Sequence, residues 1–157
     1  MKSEIGISKK GLHDSVHILS ILLSDEMTLY VKTRKFHWNV SGESFMELHK
    51  LFQSQYTELE EMIDEVAERI NQLGSKTIGT MMEFMESTRL NEAPNKYPNQ
   101  KDIIHELLKD HETVIVELRK DVETITQKGK DAGTADFLTG IMQQHEKTAW
   151  ILRRYLS

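Results

Sequence analysis

The chain contains no cysteine among its 157 residues. That excludes disulfides, thiolate metal sites and thiol catalysis. It also leaves no thiol for an oxidant to attack. Only two prolines and eight glycines interrupt the chain, so long helices have room to form. Long apolar runs are missing as well. The longest strongly apolar stretch, Ile18 to Leu23, includes Ser20 and is far too short to span a bilayer. The first ten residues, MKSEIGISKK, lack the apolar segment of a secretory signal. A soluble, cytoplasmic protein without membrane association is therefore expected. Positive charge is not in excess: 20 Lys and Arg stand against 25 Asp and Glu, a formal net charge of -5. Such a body is a poor partner for polyanions. No glycine-rich nucleotide-binding pattern occurs, and no serine nucleophile has a supporting context.

What is present is helical period. The length suits one domain with a real core. Four long segments repeat apolar residues every three or four positions. The first runs from about Gly11 to Asn39, with Leu12, Val16, Leu19, Leu23 and Tyr30 as its stripe. The second runs from about Ser44 to Leu73 and stops at Gly74; Phe45, Leu48, Phe52, Leu59, Val66 and Ile70 mark it. The third follows Pro98 and ends near Gly129, and the fourth starts near Thr134. Residues 1–10 are expected to form a flexible tail and residues 11–157 one helical domain. The links at Ser41-Gly42 and at Gly129 to Gly133 are short, which favours antiparallel neighbours. The link from Gly74 to Pro98 is long, and within it Thr80 to Ser87 can form one or two helical turns. An all-α four-helix bundle with one long crossover matches this pattern.

The polar residues of the second segment carry the chemistry. At ~100° per residue, His49, Gln53, Asp64 and Glu68 lie roughly 130° from the centre of the apolar stripe. They therefore face away from the bundle's own core. His49/Gln53 and Asp64/Glu68 are two i, i+4 pairs, a spacing that can place two ligands on one metal. The pairs are 64 − 49 = 15 residues apart, or ~22 Å along a helix, so one chain cannot bring both to one ion. Two copies packed antiparallel about a two-fold axis near Glu58 and Leu59 can do so, and they make two sites at once. His37 closes over the turn towards His49. The expected site is His37, His49 and Gln53 of one chain with Asp64 and Glu68 of a second. Imidazole with carboxylate suits iron, zinc or manganese. Taken alone, an acid pair such as Asp64/Glu68 usually reads as a solvated helix face.

The stretches KTRKFHWNVSGESFMELHKLF and IDEVAERINQLG, with the closing GTADFLTGIMQQHEKTAWILRRYL, resemble the Dps family of miniferritins. The resemblance runs from about His13 to Leu156. It implies a ferritin-like four-helix subunit with a short extra helix in the long middle connection, here Thr80 to Ser87. It implies a hollow homododecamer with ferroxidase centres at the two-fold interface. His37, Asp64 and Glu68 would hold the tighter iron. His49 and the acid four residues on would hold the second, with Glu68 bridging. This sequence departs at that acid, which is Gln53, so the second iron is expected to bind more weakly. The implied activity is oxidation of Fe(II), preferably by hydrogen peroxide, with storage of Fe(III) mineral and protection from oxidative damage. Acidic three-fold pores near the last helix would admit iron, with Asp136 the stronger match and Asp131 the alternative, or a cap residue.

Other features read as structural. No Glu-x-x-His of the classical di-iron bundles occurs. Asp14/His17 and Asp102/His105 read as surface or interface residues. His111 and His145 fall on or beside apolar stripes and read as satisfied core or interface histidines. Trp38 reads as an interface aromatic, with radical quenching as its functional alternative. Met81, Met82 and Met85 read as packing. Lys2, Lys9 and Lys10 give the tail a modest positive charge. Twelve tails add avidity, but twelve acidic bodies oppose it, so DNA binding is expected to be weak and salt-sensitive. The alternative function is a DNA-compacting or structural cage with little ferroxidase activity.

Overall fold

A computed structural model of the chain describes residues 4–157, which form five α-helices and no strand. Helix α1 spans Lys9–Asn39 and α2 spans Phe45–Gln72. The short α3 spans Met81–Ser87, α4 spans Gln100–Thr124, and α5 spans Ala132–Arg154. The extra helix in the middle connection is therefore present. Its start is a capping box: the Thr80 hydroxyl accepts from the Glu83 N–H, and the Glu83 side chain accepts from the Thr80 N–H.

Helix α1 begins at Lys9, capped by the Ser8 hydroxyl, which accepts from the Gly11 N–H. The helix thus begins two residues before the start expected near Gly11. Lys9 and Lys10 belong to the helix, and Lys10 pairs with Asp14 at 2.6 Å. Lys2 lies outside the described residues. Gly11 sits where a side chain would not fit: a Cβ there would lie 2.7 Å from the Gly129 carbonyl. Gly129 closes a π-helical turn, Ile125–Gly129, that widens the end of α4.

Helix α1 runs antiparallel to α2 through the tight link at Gly42, whose φ of 115° is open to glycine. Helices α4 and α5 form a second antiparallel pair. Across the bundle, Gln144 donates to Glu58 and Arg69 donates to Thr134, so α2 is antiparallel to α5. It follows that α2 and α4 are parallel, which demands the long crossover. That crossover is latched to the bundle. Asp25, fully buried on α1, accepts from the Thr88 hydroxyl, the Arg89 N–H and the Arg89 guanidinium, which also reaches Asp121 at 2.9 Å.

The core lies between the two helix pairs. Leu19, Leu22 and Phe36 of α1 meet Phe52, Leu59 and Ile70 of α2 with Leu107 and Leu118 of α4 and Leu138 and Leu152 of α5. Each such side chain contributes about 1.5–3 kcal/mol on burial.

Candidate metal centre

His37 lies in the last turn of α1 and His49 in the first turns of α2. The link between the helices folds them face to face. Their rings stack with centroids 3.7 Å apart at 18°. Each ring bonds the other's main chain: His37 Nδ1 to the His49 carbonyl at 2.7 Å, and His49 Nδ1 to the His37 carbonyl at 2.9 Å. A carbonyl only accepts, so both Nδ1 atoms carry the hydrogen. In the neutral rings both Nε2 atoms keep a free lone pair, the state a metal ligand requires. The backbone thus fixes tautomer and orientation together. Tyr56 packs edge-on against His37 at 5.2 Å, and Phe45 lies 5.1 Å from His49.

Gln53, Asp64 and Glu68 all lie exposed on α2, away from the face that Leu48, Phe52, Leu59 and Val66 bury. The chain brings His37 and His49 together but leaves Asp64 and Glu68 at the far end of the helix. Among the described residues of one chain, no three His, Asp or Glu side chains are grouped to hold a metal ion. Asp64 and Glu68 form no ion pair with any described residue.

The two pore candidates separate. Asp131 is the N-cap of α5 and only 2 % exposed; it accepts from the Thr134 N–H and the Ser15 hydroxyl, each at 3.0 Å. Its carboxylate is thus held within the bundle as the cap of α5. Asp136 is exposed and lines a cleft of about 540 Å³ between α2 and α5 with Glu58, Glu61 and Glu65.

The polar centre of the bundle was only half legible. His111 and His145 are core histidines, joined Nδ1 to Nδ1 at 2.8 Å. His145 Nε2 in turn meets Glu26, fully buried on α1, at 2.6 Å. Burial, and then the charge of His145, hold the His111 imidazole well below its ordinary basicity. Gln55 of α2, 4 % exposed, makes no hydrogen bond within the protein through either amide atom. Glu26 and Gln55 occupy core positions of their helices, and that misfit with the apolar period is the signal that reveals them.

A bundle of two antiparallel helix pairs joined by a long crossover defines a ferritin-like subunit. Residues 16–157 match the family model described as a ferritin-like domain. The chain is 39% identical over 152 residues to an uncharacterised low temperature-induced protein of Nostoc sp., covering 97% of this chain and 85% of that one. It is 38% identical over 142 residues to DNA protection during starvation protein 2 of Bacillus anthracis, covering 90% and 96% respectively. Among solved structures, the Dps protein of Vibrio cholerae, described as a ferritin-like diiron-carboxylate protein, superposes with a TM-score of 0.91. That match has 26% identity and covers 99% of this chain and 97% of that one. The chain belongs to the Dps family of miniferritins. Among the described residues no helix is long and apolar enough to cross a membrane.

Proposed function

We propose that the protein is a ferroxidase and iron store. It binds Fe(II) between two copies of the chain, oxidises it with hydrogen peroxide, and keeps the Fe(III) inside a homododecameric cage in the cytoplasm. The observation that carries this is the reciprocal bonding of His37 and His49, which leaves two oriented Nε2 atoms at one end of α2, while Asp64 and Glu68 lie exposed towards its other end. Histidine with carboxylate suits a hard to borderline divalent cation. The ferritin-like family match and the diiron-carboxylate neighbour support iron as that cation.

In the proposed centre, His37 Nε2 of one chain and Asp64 and Glu68 of the second hold the firm iron. His49 Nε2, with the Gln53 amide oxygen nearby, attends a weaker second position. Two Fe(II) give two electrons to one peroxide, and with two protons the products are two Fe(III) and two waters. No hydroxyl radical is released, which is the protective part of the function. Asp136 would line the iron entry path. DNA association is a lesser part of the proposal, because Lys9 and Lys10 belong to α1 and Lys10 is paired with Asp14.

The test is peroxide-dependent Fe(II) oxidation in wild type and in the double variant His37→Ala/Asp64→Ala. Loss of the fast phase is expected. A fast phase that survives both changes would remove this site from the reaction and favour a structural cage.

A further inference from the structure

Of the chain's seven histidines, His37 and His49 belong to the proposed inter-chain centre, and His111 and His145 lie in the core. His105 is exposed on α4 with no second histidine one turn away. The other two, His13 and His17, share one helix and one face. They are four residues apart in α1, in the run His13-Asp14-Ser15-Val16-His17, and both are exposed. Four residues is little more than one turn, so the two rings project side by side over the same patch of surface. Between them, Ser15 is buried and bonds Asp131, and Val16 packs against the core. Those contacts hold α1 with its histidine face outward.

A carboxylate stands behind the first ring. Lys10 donates to Asp14 Oδ2 at 2.6 Å and anchors that side chain. The other oxygen, Oδ1, lies 3.6 Å from His13 Nδ1. Metal-binding histidines commonly carry an acid on the far ring nitrogen, where it fixes the ring and raises its basicity. With Nδ1 turned to Asp14, His13 offers Nε2 to solvent. His17 pairs with no described side chain, so its ring is open to a ligand. The patch is 37 − 17 = 20 residues from His37, ~30 Å along α1, so no ion is shared with the inter-chain centre.

We propose that His13 and His17 form a second, open metal site that takes a late divalent transition metal, Cu(II), Ni(II) or Zn(II), from solution. Two imidazole nitrogens with no carboxylate in the inner set favour these ions over Fe(II) and Mn(II). Two protein donors fill only part of a coordination shell, and water completes it. The ion therefore exchanges with solvent and is held without being enclosed. The site does not depend on the iron centre proposed above.

The experiment removes the inter-chain centre first, so that the surface pair is read alone. Assembled His37→Ala/Asp64→Ala protein is titrated with Zn(II) by calorimetry at neutral pH, with helicity and particle size checked for every variant. One Zn(II) per chain is expected. Adding His17→Ala removes a ligand and should cost no less than the roughly tenfold that losing an outer partner costs. Adding Lys10→His/His13→Ala instead keeps two exposed histidines but sets them 17 − 10 = 7 residues, or ~10 Å, apart. That protein should bind no better than the one with a single histidine. Asp14→Asn, with both histidines in place, should weaken Zn(II) roughly tenfold. His105→Ala should change nothing, and anaerobic Fe(II) should bind more weakly than Zn(II). Retained affinity in His17→Ala or in the respaced variant would overturn the chelate, as would absence of Zn(II) binding in the starting protein. Fe(II) held more tightly than Zn(II) would overturn the ion class, and unchanged affinity in Asp14→Asn would overturn the role of the carboxylate. The iron centre is judged separately, by the fast phase of Fe(II) oxidation in wild type.

Discussion

The division of the metal centre between two chains can be tested by mixing two inactive proteins. His37→Ala removes the histidine half of the firm iron position, and Asp64→Ala removes the acidic half. The 15 residues between His49 and Asp64 on one straight helix correspond to ~22 Å, several times the span of ligands around one ion. In the proposed centre each chain therefore gives its histidines to one site and its acids to another. In a cage assembled from both variants, a site is intact only when an Asp64→Ala chain supplies the histidines and a His37→Ala chain supplies the acids. At equal amounts each condition holds half the time, so about one quarter of the wild-type fast phase should return. The recovered activity should follow the product of the two chain fractions and peak at the equal mixture. Co-expression with two different tags and tandem purification gives cages of known composition, and stopped-flow Fe(II) oxidation reads the fast phase. An intrachain centre would give no activity at any ratio, because every chain would lack one ligand. Flat, zero recovery from folded mixed cages would refute the shared site.

Three further outcomes follow from the geometry. Gln53→Glu adds a carboxylate beside His49 and should tighten the second iron by roughly tenfold or more, seen as a rise from one to two Fe(II) per site in anaerobic titration; an unchanged stoichiometry would contradict the role given to Gln53. Glu26→Ala leaves His145 and His111 without their carboxylate in the bundle core and should cost about 3–5 kcal/mol, measured by denaturant unfolding. Asp131→Asn should blunt the acid sensitivity of the fold. Burial pushes the Asp131 carboxyl up, but the Thr134 and Ser15 hydrogen bonds and Arg69 outweigh it and hold the group below its ordinary 3.8. Its contribution is therefore complete above about pH 4 and is lost as pH falls through the lowered value. Wild type should accordingly lose stability faster than the variant on acidification.

Much of the fold was legible because apolar period and helix punctuation agree. Gly74 ends α2 with φ 89°, Thr80 and Glu83 open α3, and Asn99 caps α4 through the Asp102 N–H. The ends of elements were less legible. Ser8 sets α1 two residues ahead of the expected start, and the π-turn at Ile125–Gly129 brings the Gly129 carbonyl against Gly11, a contact between residues far apart in sequence. Asp131 illustrates the same limit. Its position before α5 supplies the cap through the Thr134 N–H, and only folding brings Ser15 and Arg69 from other helices onto the same carboxylate.

By itself the sequence determined that Asp64 and Glu68 stand off the core face of α2 and that one chain cannot gather the site, since both follow from the rise and period of a helix. Tertiary structure decided what those rules do not reach. The stacking of His37 on His49, the bonding that frees both Nε2 atoms, the placement of Tyr56 and Arg34 beside them, and the buried Glu26–His145–His111 chain all depend on how the helices pack. The physical reason is the range of the forces involved. Helical geometry is local and can be counted along the chain, whereas the partners of a buried or metal-ligating side chain come from elements that only folding brings within a hydrogen bond's length.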